Sequence, residues 1–232
     1  KSNEITAIPK LLALLDIENC IIALDAMGCQ RKIAKQIVQS KADYVLALKG
    51  NHSSMQAELE AWWHKACREK FTEKNYAQHT DIDAGHGRIE TRHCEQLLVD
   101  IGWLSKPYQW DGLRSIIKIT SEVEHSMTGK MSKETRWYIS SLDLDAEQAL
   151  KAVRGHWQVE SMHWMLDMTF REDDCRIRKG NGALAFNALR KIALNLFKFD
   201  TTKKISMARK KKNAALNDEY RSVLLESAIK MR

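Results

Sequence analysis

Long apolar runs, a leader segment and paired cysteines are all missing from this sequence. No stretch of the 232 residues approaches the about 18 consecutive apolar residues of a membrane-spanning helix, and the chain does not begin with a basic and then apolar signal. We therefore predict a soluble cytoplasmic protein with no membrane partner. The five cysteines stand far apart without a CxxC pair, which argues against a zinc knuckle and against a disulfide framework.

The composition is that of an ordinary globular protein, with 44% hydrophobic and 29% charged residues, so disorder is excluded as the main state. The formal net charge is +7, and the density of basic residues is highest between residues 203 and 212. A positive field of this kind favours a polyanion, of which nucleic acid is the commonest in the cytosol. A solvated basic surface remains the alternative.

Residues 1–72 alternate between helical and strand patterns. Short, continuously apolar strands are predicted at residues 20–24 and 43–48, and helices at residues 5–15, 30–39 and 53–67. Continuous apolar strands separated by helices indicate an α/β sheet buried on both faces. Because the chain opens at Lys1 directly into a helical pattern, we expect it to begin inside a larger protein.

The pattern changes after residue 72. Residues 73–142 alternate in the manner of antiparallel strands, with a hairpin at residues 85–87 and further strands at 113–123 and 136–142, and we interpret them as a β insertion. In residues 143–199, Asp145 is predicted to cap a helix that runs to Phe170 with a break at Gly155, and residues 184–197 form an apolar helix. Residues 200–232 are predicted to be a loosely ordered basic tail.

Asp25 lies at the carboxyl end of the first buried strand and is followed by small residues. Ligands of open α/β sheets collect outside the carboxyl ends of the strands, so a carboxylate there is well placed to hold a cation. The alternative is that Asp25 only caps the following helix.

Glu160 belongs to a polar stripe. His156, Glu160, His163 and Asp167 recur at helical spacing and share one helical face. The neighbouring apolar residues that should press this helix into the core are Val159, Met162 and Leu166. The alternative is a partly exposed polar face with satisfied histidines.

Two carboxylates from distant parts of the chain suit two-metal phosphoryl transfer if a third acid joins them, and Mg²⁺ (or Mn²⁺) prefers such oxygen ligands. A rival interpretation uses His156, His163 and one carboxylate as an iron or zinc site. Three ligands on one helix would give that site a strained geometry.

Residues 86–92 place Arg88, Glu90 and Arg92 on one face of a strand. Two guanidinium groups with a carboxylate between them could bind phosphate in a bidentate manner. A cross-strand ladder of ion pairs is the alternative.

Six segments occur in an order that resembles a known family. They are LDAMGCQ, ADYVLALKGNH, GHGRIETR, RWYISSL, RGHWQVESMHWMLDMTFREDDCRIR and NxALRKIALNL. Together they resemble the C-terminal portion of the H-repeat-associated insertion-sequence transposases, which are of the DDE type, and the resemblance runs from Lys1 to about Phe199. It implies an RNase H-like mixed sheet flanked by helices, with the β insertion between the second Asp and the Glu helix.

The resemblance also implies which residues act. The family's second catalytic Asp corresponds to Asp25 and its Glu to Glu160, both as ligands of Mg²⁺ (or Mn²⁺), whereas its first Asp belongs to strands upstream of Lys1. The implied activity is cleavage and joining of double-stranded DNA at element ends and target by two-metal phosphoryl transfer. A homodimer in the synaptic complex, associated with the bacterial nucleoid, would carry it out.

The predicted DNA contacts combine the basic segments with the Glu160 helix, and they are Lys49, Arg88, Arg92, Arg154, His156, Lys210 and Lys211. The wider group has Tyr, Arg and Lys in the spacing Y-x2-R-x3-E-x6-K, where this chain has Val153, His156 and Asp167. Arg154 partly replaces the lost Arg, whereas Asp167 reverses the expected charge. Two other functions stay open: a catalytically inactive DNA-binding remnant, and a nuclease that cleaves without joining.

Overall fold

The structure, a computed structural model, describes residues 4–69, 74–85 and 87–229. His86, in the predicted hairpin, lies outside the described residues. The chain forms two compact units, residues 1–156 and 157–232. Within the described ranges, no helix combines the length and the apolar character that crossing a membrane requires.

Helices and strands alternate as far as α3 in the first unit, where four consecutive strands follow, and the described residues of the second unit form helices and loops. The elements are α1 (Glu4–Leu12), β1 (Ile21–Leu24), α2 (Arg31–Gln39), β2 (Asp43–Leu48), α3 (Ser53–Glu69), β3 (Tyr76–Gly85), β4 (Arg88–Leu98), β5 (Ser115–His125), β6 (Met131–Ser140), α4 (Ala146–Phe170), α5 (Gly182–Phe199), α6 (Met207–Leu216) and α7 (Asp218–Ile229). Helix α4 begins in the first unit and ends in the second. Short 3₁₀ turns occupy Gly50–His52 and Lys106–Tyr108.

The six strands found in the described residues form one mixed sheet in the order β1-β2-β6-β5-β4-β3. Strand β1 is parallel to β2 and every other pair is antiparallel, which confirms the predicted α/β class and is compatible with an RNase H-like fold. The strands of residues 73–142 are antiparallel to one another as predicted, and they continue the sheet that β1 and β2 begin. The reason is that β6 pairs along β2, with Val45 opposite Ser140, so that β2 has a neighbour on each side.

The sheet is buried on both faces around β2 and the first half of β5, as the continuously apolar β2 predicts, whereas β1 is only half-buried. On one face, residues of α2 and α3 such as Ile33 and Leu59 pack with Leu46. On the other face, the first turns of α4 contribute Leu150 and Val153, which pack in a cluster with Val45 and Ile117. Each such apolar side chain contributes about 1.5–3 kcal/mol when it is fully buried, so the helices are held on the sheet mainly by these two layers.

Helix α4 begins and ends as predicted but has no break at Gly155. The backbone N–H of Gln148 donates to Oδ1 of Asp145 at 2.8 Å, which confirms Asp145 as the N-cap. The predicted break at Gly155 is wrong, because the helix runs without interruption to Phe170. A helical glycine costs only about 1 kcal/mol relative to alanine, and buried residues on either side of it, Val153 and Leu166, offset that cost.

The predicted loosely ordered tail is also wrong, since α6 and α7 fold there around a small core with α5. Its buried residues are Phe197, Ala214, Tyr220 and Leu224. Nζ of Lys210 donates to the carbonyl oxygens of Phe197 at 2.9 Å and Asp200 at 2.5 Å, and lies 3.4 Å from Asp200 Oδ2. One lysine of the basic run therefore joins α6 to the end of α5.

Asp200 is the acceptor at the centre of this network. The Tyr220 hydroxyl donates to its Oδ2 at 2.6 Å, and Thr202 donates to its Oδ1. Burial alone would raise the pKa of Asp200, but the hydrogen bonds from Thr202, Tyr220 and Lys210 outweigh it and lower the pKa to about 2. Burial and the bond to Asp200 raise the pKa of Tyr220 to about 12. The carboxylate is therefore ionised and satisfied in the interior of this unit.

Candidate metal and DNA-binding site

Asp25 directly follows β1 and is tied to its own turn. Its Oδ1 accepts the backbone N–H groups of Met27 and Gly28, each at 3.0 Å. It does not cap α2, whose N-cap is Gln30 without a side-chain cap bond. In the part of the chain that the structure describes, Oδ2 has no hydrogen bond or ion pair. One oxygen is thus held by the backbone and the other is available to a ligand.

Gly28 allows this turn to lie against β1. A Cβ atom at this position would stand 2.9 Å from Cβ of Leu24 and 3.3 Å from Cδ1 of Ile8, closer than packed side chains come. Only glycine fits without a shift of the backbone. The glycine of LDAMG therefore sets how closely the Asp25 turn packs on the sheet and on α1.

The segment that follows β2 forms hydrogen bonds to the same turn. Nδ2 of Asn51 donates to the Ala26 carbonyl oxygen at 2.7 Å, and Nε2 of His52 donates to the Cys29 carbonyl oxygen at 2.6 Å. Parallel neighbours β1 and β2 end at the same edge of the sheet, which brings the two segments together. The sequence reasoning missed Asn51 and His52, although the KGNH that closes the second apolar run was a signal for them.

Cys29, at the end of the Asp25 turn, is buried and does not present its thiol to a ligand. Its side chain is fully buried, and burial together with the charge of Asp25 raises its thiol pKa to about 12. Both effects favour the protonated thiol, and the side chain has no exposed surface at which a ligand could reach it. The donors that this turn offers are therefore oxygens.

Glu160 lies in the second unit, on the exposed side of α4. Its carboxylate makes no hydrogen bond or ion pair with the described residues. Leu166 is fully buried and Met162 half-buried, as predicted for the apolar side of the helix, but Val159 is 46% exposed and the prediction for it is wrong. The first turns of α4 pack on the sheet, and the later ones belong to the all-helical unit, where Val159 finds less cover.

Asp25 and Glu160 belong to different units, so each is positioned by its own surroundings. Among residues 4–69, 74–85 and 87–229, no three His, Cys, Asp or Glu side chains form a cluster that could hold a metal ion. The chemistry of the two carboxylates nevertheless fits Mg²⁺, since both present unpaired hard oxygens.

The predicted basic residues of the sheet differ in their surroundings. Lys49, just after β2, and Arg88, at the start of β4, are exposed and have no ion pair with the described residues. Arg92 is largely buried and pairs with Glu90 at 2.5 Å and Asp81 at 3.4 Å. The ion-pair alternative thus describes Arg92, whereas Arg88 is open to a phosphate.

Arg154, in the first part of α4, also has internal partners. Nη1 of Arg154 lies 2.5 Å from Asp81 and Nη2 lies 3.3 Å from Asp83, so the arginine joins α4 to β3. His156 is half-buried. Arg154 could reach a phosphate only by exchanging its bonds to these two aspartates.

Of the two predicted tail lysines, one faces solvent and one does not. Lys211 is exposed, donates to the Thr169 carbonyl oxygen at 2.7 Å and lies 5.4 Å from the centre of the Phe170 ring. The Lys210 ammonium is enclosed by Phe197 and Asp200, so its place is internal and it does not offer a surface charge to DNA.

A family model described as the transposase DDE domain matches residues 1–196. The chain belongs to this family. It is 40% identical to the protein named "Putative protein YbfL" and 39% identical to "H repeat-associated putative transposase YhhI", both of Escherichia coli (strain K12), with 97% of this chain and 60% of each relative covered. It is 38% identical to "Putative transposase YncI" of Escherichia coli O157:H7, over 98% of this chain and 58% of that protein. The chain thus spans about 60% of the length of these relatives.

Proposed function

We propose that Asp25 and Glu160 are two of three carboxylates that bind Mg²⁺ or Mn²⁺ during cleavage and joining of DNA strands. The observation that carries the proposal is the Asp25 turn, in which two backbone N–H groups fix one carboxylate oxygen and leave the other free. Membership of the DDE family and the unpaired carboxylate of Glu160 support it.

Divalent cations bound there would activate the attacking oxygen and stabilise the leaving oxygen of a phosphodiester. The residues of this chain would hold and orient these cations. Asp25 would do so through its turn, and Glu160 from the surface of α4. The third carboxylate is the family's first Asp, which the resemblance places before Lys1. Residues 1–232 thus supply two of the three proposed carboxylates.

The proposed substrate is double-stranded DNA, both the ends of an insertion sequence and the target, handled by a homodimer in the bacterial nucleoid. Exposed cations without an internal ion pair are the proposed phosphate contacts, and of the predicted residues of the first unit Lys49 and Arg88 meet this description. Arg92 and Arg154 would join them only after they exchange their ion pairs, whereas half-buried His156, and Lys211 of the second unit, would contribute without such an exchange. Lys210 is left out because its ammonium is buried.

The metal-binding role is tested by Mn²⁺ titration of the whole chain, followed by calorimetry or electron paramagnetic resonance. Asp25→Asn and Glu160→Gln should each weaken binding by at least about tenfold, because removal of a ligand costs no less than removal of an outer partner. The matched control is Glu124→Gln, an exposed carboxylate at the far end of β5. Equal affinity in wild type and in both variants would contradict the proposal.

The DNA-binding role is tested by the salt dependence of affinity for a duplex in EDTA. The slope of log K against log salt is negative, and each lost phosphate contact should reduce its magnitude by about 0.9. The double variant Lys49→Gln, Arg88→Gln should therefore show a slope that is shallower by roughly two units. Lys151→Gln is the control, since that lysine already pairs with Glu147 at 2.6 Å. An unchanged slope in the double variant would place the interface elsewhere.

A further inference from the structure

Two sets of hydrogen bonds hold the turn that carries Asp25. The inner layer lies within the turn, and the outer layer comes from another segment. The inner layer consists of Oδ1 of Asp25 with the N–H groups of Met27 and Gly28, and of the Cys29 N–H with the Asp25 carbonyl oxygen at 3.1 Å. These bonds fix the carboxylate relative to its turn. They do not fix the turn relative to β2, the strand next to β1.

The outer layer supplies that second constraint. Asn51 and His52 donate to the carbonyl oxygens of Ala26 and Cys29, one near each end of the turn. We infer that Asn51 and His52 are positioning residues, which hold the Asp25 turn against the end of β2 and so orient the free carboxylate oxygen for a divalent cation. This inference rests on the proposed function of Asp25.

The two donors are themselves held in place. Because a carbonyl oxygen can only accept, Nε2 of His52 carries the proton of its bond to Cys29. The His52 ring also meets the buried Trp110 ring edge-on, with ring centres 5.5 Å apart. Asn51 directly precedes it in the 3₁₀ turn Gly50–His52. A site held by packed, hydrogen-bonded neighbours is pre-organised, and its ligand affinity depends on them.

If the role of Asn51 were purely structural, its replacement would lower the free energy of unfolding. This side chain is exposed and packs in neither buried layer of the sheet, so its loss should leave the stability of the fold almost unchanged. A positioning role requires that the mobility of the turn and the affinity for the cation change although the fold does not.

The test measures amide hydrogen exchange at residues 26–29 without metal, and Mn²⁺ affinity, in the whole chain. Asn51→Ala and His52→Phe should speed the exchange of the Met27 and Gly28 amides about tenfold and weaken Mn²⁺ binding by about 10–100-fold. The phenyl ring keeps the contact with Trp110 but cannot donate. His52→Gln, whose carboxamide can donate to the Cys29 carbonyl, should recover most of both effects. His64→Ala, on the exposed side of α3, is the matched control.

Unchanged exchange at Met27 and Gly28 in Asn51→Ala and His52→Phe would overturn the positioning role. So would faster exchange with undiminished Mn²⁺ affinity, and so would failure of His52→Gln to recover either effect. Failure of the proposed function has a separate signature, namely Mn²⁺ affinity that is indifferent to Asp25→Asn while the exchange results stand as they are.

Discussion

Replacing Lys210 with alanine should lower the free energy of unfolding of the second unit by about 3–5 kcal/mol, the usual cost of removing one partner of a buried ion pair. The Lys210 ammonium donates to two carbonyl oxygens and faces the Asp200 carboxylate, whose side chain is 2% exposed. Alanine would leave a buried charge and two carbonyl groups without that donor. Urea denaturation followed by circular dichroism measures the loss, and Lys212→Ala, an exposed neighbour on α6, should change stability by less than about 0.5 kcal/mol.

The same substitution should change how stability depends on pH. The folded-state pKa of Asp200, about 2, lies below its ordinary value of 3.8, so its stabilisation is present above the unfolded pKa and is lost as pH falls towards 2. Without Lys210 one of the bonds that lower the pKa is gone, so acid unfolding should begin at higher pH. A variant as stable as Lys212→Ala at neutral pH, with unchanged acid unfolding, would contradict the role given to Lys210.

This chain on its own should not cleave DNA that carries the ends of an insertion sequence, with either Mg²⁺ or Mn²⁺. Two-metal transfer needs carboxylates from several parts of the fold, and we assign only Asp25 and Glu160 here. Without the third ligand the cation is held weakly, and carboxylates brought together without it repel each other. Incubation with a labelled duplex of the element end, followed by gel analysis of the strands, measures the activity.

Robust cleavage that Asp25→Ala abolishes would refute the proposal that cleavage needs a third carboxylate besides Asp25 and Glu160. Salt-sensitive duplex binding that ignores metal, Asp25→Ala and Glu160→Ala would instead favour the inactive DNA-binding remnant. Joining of the cleaved strand to a target, assayed in a full-length relative, separates a transposase from a nuclease that only cleaves.

Local patterns predicted the elements whose burial is set by neighbouring residues in sequence. The continuous apolar runs before Asp25 and Lys49 became the parallel pair β1 and β2, and the Asp145 cap began α4 where expected. The prediction of a loosely ordered tail was wrong because composition does not distinguish a solvated lysine from a buried one. Lys210 is of the second kind and lies against the Asp200 carboxylate. Such a partner, ten residues away, is decided by packing.

The sequence by itself determined the family, the mixed α/β class and the carboxylate that follows β1, because ordered motifs and local periodicity depend only on which residues follow one another. Only the tertiary structure decided which groups meet across the fold. It joined β6 to β2 in one sheet, paired Arg92 and Arg154 with Asp81, and set Asn51 and His52 on the Asp25 turn. Hydrogen bonds and ion pairs act over a few ångströms in space, and sequence separation does not specify that distance.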